Sequence, residues 1–384
     1  MNLGRNDKCW CGSGLKFKRC HLNREYEEAI SKSEAIKISN KIASRECCMV
    51  PDALTHECTS KIISAHTVSK SGSLGAIADN TNHVKGLRIS LPTLIKNKGI
   101  LRPEKIGINQ ASTFKGFCSY HDNSLFSCIE DRKFIGTEPQ CFALAYRAVA
   151  KEMYAKQNSS TANDFLKFAD KGKSKVDQLF FQNFIADNEL GVSAAIKELS
   201  DFKALLDLRL IGDQSTELSH LVISSKVPPP VMVSSIVAPT VNFNGKLIQD
   251  LADLKVVPDY VCFNSFSSDG KGYVVFSWLK DAKISRNFIE TFLAIDDSRK
   301  FSALVRFFFS VAENTFFSPS WWDELSKGEQ SKIEDFIMAD ASPYHPGSQS
   351  ILVDDGTDFG EWGITSIKEI NFEKRQSICI DLIK

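Results

Sequence analysis

The spacing of apolar residues along this 384-residue chain changes several times, and each change predicts a different kind of structure. Residues 25–46 are mostly polar with a thin apolar stripe, which predicts a helical connector. From 136 to 212, apolar residues recur every three or four positions, the spacing of amphipathic helices. From 213 to 384, β-branched and aromatic runs are separated by turn residues and followed by helical periodicity. The pattern predicts an α+β protein with several domains.

Local signals place some of the element boundaries. Thr137 and Gln140 form a capping box, which predicts the start of a helix. The polar run at 157–161 predicts the end of that helix. Residues 267–272 are rich in glycine and stand between two strand-like runs, which predicts a hairpin turn. A final β-like stretch follows at 377–383.

Charge is unevenly distributed, although the chain has 47 basic and 47 acidic residues in total. Residues 1–24 carry six Lys or Arg and one Asp, and residues 60–106 carry eight Lys or Arg and two acids. Residues 323–384 carry thirteen acids and six bases. A basic face that meets an anionic partner explains this pattern, and solvated surfaces of opposite sign explain it equally well.

Cysteine usage bears on the compartment. Eight of the eleven cysteines lie between Cys9 and Cys128, a concentration that is better explained by metal ligands than by disulfides. The N-terminal residues lack the apolar core of a signal peptide, and no uncharged apolar run approaches the roughly 20 residues of a membrane helix. We therefore expect a cytoplasmic protein without a membrane segment. The chain also lacks a Walker loop, a dinucleotide fingerprint and a nucleophile elbow, which makes phosphate-cofactor enzymes and serine hydrolases poor candidates.

Four candidate zinc ligands stand close together near the N-terminus: Cys9, Cys11, Cys20 and His21. Three thiols and one imidazole complete a tetrahedral zinc site. The Gly-Ser-Gly sequence at 12–14 supplies a tight turn that lets the first two ligands fold back towards the other two. The spacing predicts one zinc ion held by this segment.

The segment resembles the SEC-C motif, a short zinc-binding module found in a bacterial protein-translocation motor and in many other proteins. The resemblance covers residues 4–22 and includes the ligand spacing, the Gly-Ser-Gly turn and the basic run at 16–19. His21 stands where many members have a fourth cysteine. The resemblance implies a zinc module with a small binding surface over residues 1–24. It implies no reaction.

A second and looser ligand set is spread over residues 47–135. Two of its members precede a strand-like run at 62–68, and two stand at the predicted start of a helix. Such a division is the arrangement of a treble-clef zinc site. The set that we choose is Cys48, Cys58, Cys118 and His121, with Cys47 and His56 as substitutes. Buried structural cysteines are the alternative.

Region 47–135 resembles the HNH endonuclease fold, in which a histidine between two zinc-ligand pairs acts as general base. His66, in the strand-like run, stands at that position. The resemblance implies Asn80 or Asn82 as the orienting asparagine, His83 as a second imidazole, and Mg or Mn as the catalytic metal. A neutral imidazole suits the role of base because it accepts a proton near neutral pH.

The sequence departs from the active HNH pattern at Ala65. Active members usually carry an acid or a second histidine there as a metal ligand. The Asn–His pair and the second zinc pair are also off the spacing of the family. Three roles for His66 therefore stay open: general base, hydrogen-bonding residue of an inactive binding fold, and purely structural residue.

Basic residues between 61 and 105 are interleaved with aliphatic rather than aromatic residues, which suits phosphate contacts better than base stacking. The candidate phosphate contacts are Lys61, Lys70, Lys85 and Arg88. A solvated basic surface is the alternative.

These predictions combine into an α+β multidomain protein, which is also similar to uncharacterised bacterial proteins that contain a SEC-C motif. Its predicted parts are a SEC-C zinc module at 1–24, a helical connector at 25–46, an HNH-like treble-clef zinc region at 47–135, a helical region at 136–212 and a C-terminal α+β domain at 213–384. We expect two zinc ions and an HNH-like, metal-dependent nuclease that acts on nucleic acid as a defence effector. The alternative is a zinc-stabilised module that binds nucleic acid or a partner protein without catalysis. The helical region also offers surfaces for self-association.

Overall fold

A computed structural model describes residues 3–88, 90–213, 215–253, 255–341 and 350–372. Its helices are α1 (Lys32–Ala43), α2 (Gly75–Ile77), α3 (Leu91–Lys96), α4 (Ser119–Glu130), α5 (Glu138–Leu166), α6 (Lys175–Leu210), α7 (Lys283–Leu293), α8 (Asp297–Val311), α9 (Pro319–Glu324) and α10 (Lys327–Ala341). Its strands are β1 (Ile62–His66), β2 (His83–Gly86), β3 (Glu104–Gly107), β4 (Thr113–Cys118), β5 (Leu218–Ser225), β6 (Val231–Val237), β7 (Val261–Ser268), β8 (Lys271–Leu279), β9 (Thr315–Phe317) and β10 (Ile364–Ile370). The protein is thus a mixture of helices and sheets, as the sequence pattern predicts.

Eight strands form one antiparallel sheet in the order β10-β5-β8-β7-β6-β9-β2-β3. Successive side chains of a strand point to opposite faces of a sheet. On β7, Phe263 packs against Phe307 of α8, whereas its neighbour Cys262 belongs to the hydrophobic cluster that contains α5 residues. Helices α7 and α8 therefore cover one face of the sheet, and α5 covers the other.

A smaller unit consists of β1, β4 and α4. β1 pairs antiparallel with β4, so that Ile62 lies opposite Cys118 and His66 lies opposite Thr113. Helix α4 follows β4 directly. Residues 67–112, inserted between the two strands, contain α2, β2, α3 and β3. The long separation of the two predicted ligand pairs along the sequence is therefore an insertion within a strand pair.

The capping box that begins with Thr137 is confirmed at the start of α5. The break predicted at 157–161 is wrong, because α5 continues through it. Gln157 accepts a hydrogen bond from Arg45 at 2.8 Å, and further side-chain bonds tie α5 to the antiparallel α6. Tertiary contacts of this kind override the weak helix propensity of the run.

The hairpin predicted at 267–272 is confirmed. Asp269 and Gly270, both at positive φ, connect β7 to β8. Strand β10 is not predicted by the sequence pattern, and it pairs with β5 at one edge of the sheet. The β-like stretch at 377–383 lies outside the described residues.

The large sheet combines strands from two of the predicted regions, which are separated in the sequence by the helical region 136–212. β2 and β3 come from region 47–135, and the other six strands come from region 213–384. Gly86 of β2 lies so close to β9 that a Cβ there would come within 2.7 Å of the Phe316 ring. Val84 and Met232 belong to the same buried cluster, so the two regions share a hydrophobic core.

Charged residues interrupt both long helices, α5 and α6. No helix in the described part of the chain is both long enough and apolar enough to cross a membrane.

Candidate metal centres and candidate catalytic site

The four residues of the N-terminal set converge, with all ligand atoms within 4.8 Å of one another. His21 Nδ1 lies 3.2 Å from the Cys9 sulfur and 3.1 Å from the Cys20 sulfur. The sulfurs of Cys11 and Cys20 are 3.4 Å apart. Gly12 has a φ of 76°, so the turn between the ligand pairs requires a residue that tolerates the left-handed region.

Ser13 lies between two of the sulfurs and affects their protonation. Its hydroxyl is 3.2 Å from the Cys11 sulfur and 3.3 Å from the Cys20 sulfur. Burial raises the pKa of Cys11, but hydrogen bonds from the Ser13 hydroxyl and amide bring that pKa down to about 7. Burial and the neighbouring Cys11 raise the pKa of Cys20 to about 12. Thiolates this close repel one another, so full ionisation of the set requires a cation among them.

A buried carboxylate from a distant part of the chain contacts the outer nitrogen of His21. Asp170, in the turn between α5 and α6, lies 2.9 Å from His21 Nε2 and is fully buried. Gln182 donates to the same carboxylate at 2.8 Å, and Arg24 lies 2.7 Å from its second oxygen. Metal-binding histidines commonly donate their outer N–H to a carboxylate, which orients the ring and raises its basicity. Here the contact leaves Nδ1 directed at the sulfurs.

The same contacts dock residues 3–24 onto the tip of the α5–α6 hairpin. Arg24 donates to the Lys167 carbonyl at 2.7 Å, and the Gly172 amide donates to the Arg24 carbonyl at 3.1 Å. Burial raises the pKa of Asp170, but His21 and the other partners lower it below its usual range, so the side chain is a carboxylate at neutral pH. Sequence analysis missed Asp170, because a single aspartate in a lysine-rich turn carries no motif.

The second set also converges, with all four ligand atoms within 4.8 Å of one another. His121 Nδ1 lies 3.6 Å, 3.5 Å and 3.2 Å from the sulfurs of Cys48, Cys58 and Cys118. Cys118 ends β4 and caps the N-terminus of α4, and His121 lies in the first turn of that helix. Cys48 and Cys58 flank a short helical turn that precedes β1. One complete Cys/His set therefore lies at the base of the β1–β4–α4 unit, where the chain enters β1 and passes from β4 into α4.

The two substitutes, Cys47 and His56, are not members of this set, and the His56 side chain is 73% exposed. Burial raises the pKa of Cys118, but the neighbouring backbone N–H groups of His121 and Thr59 favour the thiolate and lower that pKa to about 6. A thiol at a helix N-terminus commonly ionises in this way. These groups therefore favour the thiolate form of Cys118, which is the form that binds a cation.

In the part of the chain that the structure describes, these two sets are the groups of three or more Cys, His, Asp or Glu side chains with ligand atoms this close. Each set offers three sulfurs and one imidazole nitrogen, a donor combination that zinc prefers. Both groups could hold a metal ion, and their chemistry is consistent with zinc.

His66 lies at the end of β1, outside both sets. Its Nε2 is 3.1 Å from the Ile108 carbonyl oxygen. Since a carbonyl only accepts, Nε2 carries the proton and Nδ1 is left as an acceptor. Burial lowers the pKa of His66 by more than the Ile108 carbonyl raises it, and Lys70 lowers it further. The imidazole is therefore neutral near physiological pH.

Two acidic side chains of α4 share a buried arginine with His66. Arg147 of α5 donates to the His66 carbonyl at 2.9 Å, lies 2.8 Å from Glu130 and stacks over Phe126 at 4.0 Å. Asp122 lies on the same face of α4, since it precedes Phe126 by four positions. Asp122 is buried, its Oδ1 has no hydrogen-bond partner, and burial raises its pKa although Arg147 lowers it. Sequence analysis missed Asp122, which adjoins a metal-ligand position and belongs to no spaced pattern.

Asn82 and His83 take part in local turn structure. Asn82 is exposed, has a φ of 58°, and its carbonyl accepts from the Ile108 amide at 3.1 Å. His83 Nδ1 lies 2.7 Å from the Thr81 carbonyl oxygen. The backbone of Ile108 therefore contacts both Asn82 and His66. Within the described chain, however, no hydrogen bond joins Asn82 or His83 to His66 directly.

The four candidate phosphate contacts differ in accessibility. Lys61, Lys70 and Arg88 are exposed, and Arg88 donates to the Gln110 side chain at 3.1 Å. Lys85 is partly buried, with Nζ 5.5 Å from the centre of a tryptophan ring. Lys70 influences the protonation of His66 and is thus the best placed of the four with respect to that histidine.

A family model matches the N-terminal segment of the chain. Residues 5–23 match the SEC-C motif. Short stretches of the chain are similar to protein translocase subunit SecA, with 52% identity over 42 residues in Chloroflexus aggregans and 67% over 27 residues in Chloroflexus aurantiacus. These alignments cover 11% and 7% of this chain but only 4% and 3% of the SecA chains. No solved structure gives a significant match. The SEC-C prediction is confirmed for this segment alone.

Proposed function

We propose that this protein is a zinc-stabilised, nucleic-acid-binding nuclease that hydrolyses a phosphodiester bond with His66 as general base. The observation that carries the proposal is the position of His66 at the end of β1, beside the acidic face of α4. The β1–β4 pair followed by α4, with a Cys/His set at its base, supports the HNH-like build inferred from the sequence.

His66 has the protonation state that a general base requires. Because Nε2 donates to the Ile108 carbonyl, Nδ1 is the atom that would take a proton from water. The hydroxide formed in this way would attack phosphorus. Burial keeps the imidazole neutral and ready to accept. A positioned base of this kind contributes about 10²–10⁴-fold to a rate.

A divalent cation such as Mg or Mn would polarise the phosphoryl oxygen. Asp122 fits the role of ligand, because a buried carboxylate oxygen without a donor is costly unless it meets a cation or a proton. Glu130, paired with Arg147, offers a second carboxylate on the same helical face. Ala65 provides no ligand, so the proposed metal position rests on α4 rather than on β1.

Exposed cations would bind the sugar–phosphate backbone. Lys61 directly precedes β1, Lys70 follows its last residue by four positions, and neither belongs to an ion pair in the described chain. The SEC-C module adds five more exposed cations without an acidic partner there: Arg5, Lys8, Lys16, Lys18 and Arg19. Such contacts give affinity that depends on salt and carries little sequence information. The defence-effector role rests on architecture alone, a nuclease-like unit joined to a large second domain.

Two variants test the proposal, His66→Ala and Asp122→Asn. Each purified protein is incubated with plasmid DNA, single-stranded DNA and RNA in Mg or Mn. We expect both variants to lose about 100-fold or more of the cleavage rate, because each removes a group that acts on the reacting atoms. Both should keep two metal ions per chain and the melting temperature of the parent to within a few degrees. His56→Ala is the matched control, because this histidine is 73% exposed and lies outside both sets.

Three results would count against the assignment. Full activity of His66→Ala would place the base elsewhere. Loss of a metal ion from His66→Ala would make this residue a ligand. Absence of cleavage by the parent on all three substrates would favour the second function.

Ala65 favours this second function, in which the protein binds nucleic acid or a partner protein without cutting. Ala65 is 2% exposed and directly precedes His66, so the position offers no metal ligand. Replacing Lys61 and Lys70 with glutamate should then weaken nucleic-acid binding and reduce the salt slope by about one for each phosphate that is no longer neutralised. An unchanged salt dependence would point to a protein partner.

A further inference from the structure

A cavity of about 750 Å³ lies between the α5–α6 hairpin, β6 and the residues that follow α8. Its volume falls within the range of small-molecule sites. None of the eight Cys/His ligands lines it, and neither does His66. The cavity is therefore distinct from the two Cys/His sets and from the His66 site, although Arg88, one of the four candidate phosphate contacts, lies at its edge.

Two helix faces with the same residue spacing form one wall of this cavity. The lining residues with this spacing are Ala148, Lys151, Glu152 and Ala155 of α5 and Gly191, Ala194, Ala195 and Glu198 of α6, and the next residue of each helix, Lys156 and Leu199, also lines the cavity. On each helix the later three follow the first by three, four and seven positions, so all four share one face. The small side chains hold the space open, and each face contributes charged groups to its border.

Two of the three cations of the lining, Lys151 and Arg88, form no ion pair in the described part of the chain. Lys151 is partly buried and has no hydrogen bond or ion pair in the described part of the chain. Arg88, at another edge of the cavity, bonds to the neutral Gln110 amide at 3.1 Å. A partly buried ammonium without a counter-charge is stabilised by any anion that reaches it.

The acids of the lining, in contrast, are already engaged. Glu152 pairs with Lys156 at 3.5 Å, and Glu198 hydrogen-bonds with Tyr260. Glu313 also has interactions of its own. The lining thus carries three basic and three acidic side chains, and Lys151 is the one of these six that has no polar partner in the described chain.

The remaining lining combines one unsatisfied hydroxyl with an apolar floor. Ser234 is 2% exposed, and its hydroxyl has no hydrogen-bond partner in the described chain. An acceptor atom on a ligand would relieve that cost. The apolar floor includes Ile236, Phe288, Phe307 and Phe316.

From these features we propose that the cavity binds a small organic anion with an apolar body, of nucleotide size or smaller. The anionic group lies near Lys151 and accepts from Ser234, and the body packs on the aromatic floor. Carboxylates and phosphate monoesters share this chemistry. The proposal does not depend on catalysis by His66.

Anilinonaphthalene sulfonate, which joins an anionic group to an aromatic body, serves as the fluorescent probe for the full-length protein. We expect saturable binding of one probe per cavity. Octanoate and adenosine monophosphate are then added as competitors. Displacement by octanoate assigns an aliphatic carboxylate, and displacement by the nucleotide assigns an aromatic phosphate. If neither competes, the organic-anion class is wrong.

Variants locate the bound probe. Ala195→Trp fills the cavity and should weaken binding at least tenfold, and Ala155→Trp does the same from the other helix if the first variant does not fold. Lys151→Met should weaken binding about tenfold, the usual effect of losing one charged hydrogen bond. Lys197→Met, an exposed lysine of α6 outside the cavity, is the control and should bind as the parent does.

The exposed apolar residues Phe180 and Phe184 of α6 are an alternative place for the probe, with 66% and 39% exposure. Replacing both with glutamine should leave the fluorescence titration unchanged. The proposal would be overturned if probe binding disappeared in this double variant. It would also be overturned if probe binding survived both tryptophan substitutions. Absence of saturable binding to the parent would also overturn it.

Discussion

Replacing Asp170 with asparagine should weaken metal binding at the N-terminal set while keeping the size of the side chain. Asp170 contacts His21 Nε2 at 2.9 Å and Arg24 at 2.7 Å, and it is fully buried. Asparagine retains an oxygen for one of these partners but carries no charge. The substitution therefore removes the group that orients His21 without touching any of the four ligand atoms.

Two effects set the size of the change. Loss of a carboxylate behind a metal-binding histidine typically lowers metal affinity by about 10–100-fold, which corresponds to about 1.4–2.7 kcal/mol. Arg24, only 4% exposed, would also lose its counter-charge. Breaking one partner of a buried ion pair costs about 3–5 kcal/mol. Because asparagine still accepts a hydrogen bond, we expect the lower end of that range for the free energy of unfolding of the docked module.

Zinc release in the presence of a competing chelator measures the first effect, and thermal unfolding measures the second. The release curve of Asp170→Asn should split into two phases, one shifted by about 10–100-fold in chelator concentration and one equal to the parent. Asp164→Asn is the control, because this aspartate is 75% exposed and, among the residues that the structure describes, pairs only with Lys167. A release curve of Asp170→Asn that overlays the parent would refute the role assigned to Asp170.

Two further predictions concern the second set and the histidine site. Cys118→Ser should reduce the zinc content from two ions per chain to one and lower the melting temperature. Cys128→Ser is the control, because Cys128 lies outside both sets, and it should keep two ions. Equal zinc contents in the two variants would exclude Cys118 as a ligand. The cleavage rate should rise with pH and level off with a midpoint below 6.5, because burial, together with Lys70 and Arg147, lowers the pKa of His66 by more than the Ile108 carbonyl and Glu130 raise it. Lys70→Glu should move that midpoint to higher pH, and a parent midpoint above 6.5 would contradict His66 as the base.

The parts of the metal sites that could be predicted from the sequence are those encoded by local spacing. Cys9 to His21 fall within one short segment, and Cys118 and His121 fall at a helix start that the following apolar residues reveal. Asp170 could not be predicted, because its contact with His21 spans 149 positions and depends on how the hairpin folds back. The surroundings of Asp122 could not be predicted for a related reason, since Arg147, the cation that acts on this carboxyl, lies on another helix.

The same distinction applies to the fold. The capping box at Thr137 and the turn at 267–272 are local, and both are confirmed. The end of α5 was misplaced because Gln157 is held by Arg45, a partner far along the chain. The joining of β2 to β9 depends on the close approach at Gly86, which no periodicity in residues 47–135 reveals.

The insertion between β1 and β4 gives the cavity and the histidine site a common element. Thr67, directly after His66, accepts a hydrogen bond from Asn314 at 2.8 Å, and Ser112, directly before β4, donates to the same asparagine at 3.3 Å. Asn314 also donates to the Ser234 carbonyl at 2.8 Å. Ser112, Ser234 and Asn314 all line the cavity. An occupant that displaced Asn314 would therefore act on the end of β1 that positions His66. These hydrogen bonds form a continuous network from the cavity lining to the residue next to His66, and networks of this kind carry coupling between sites when they have two discrete arrangements.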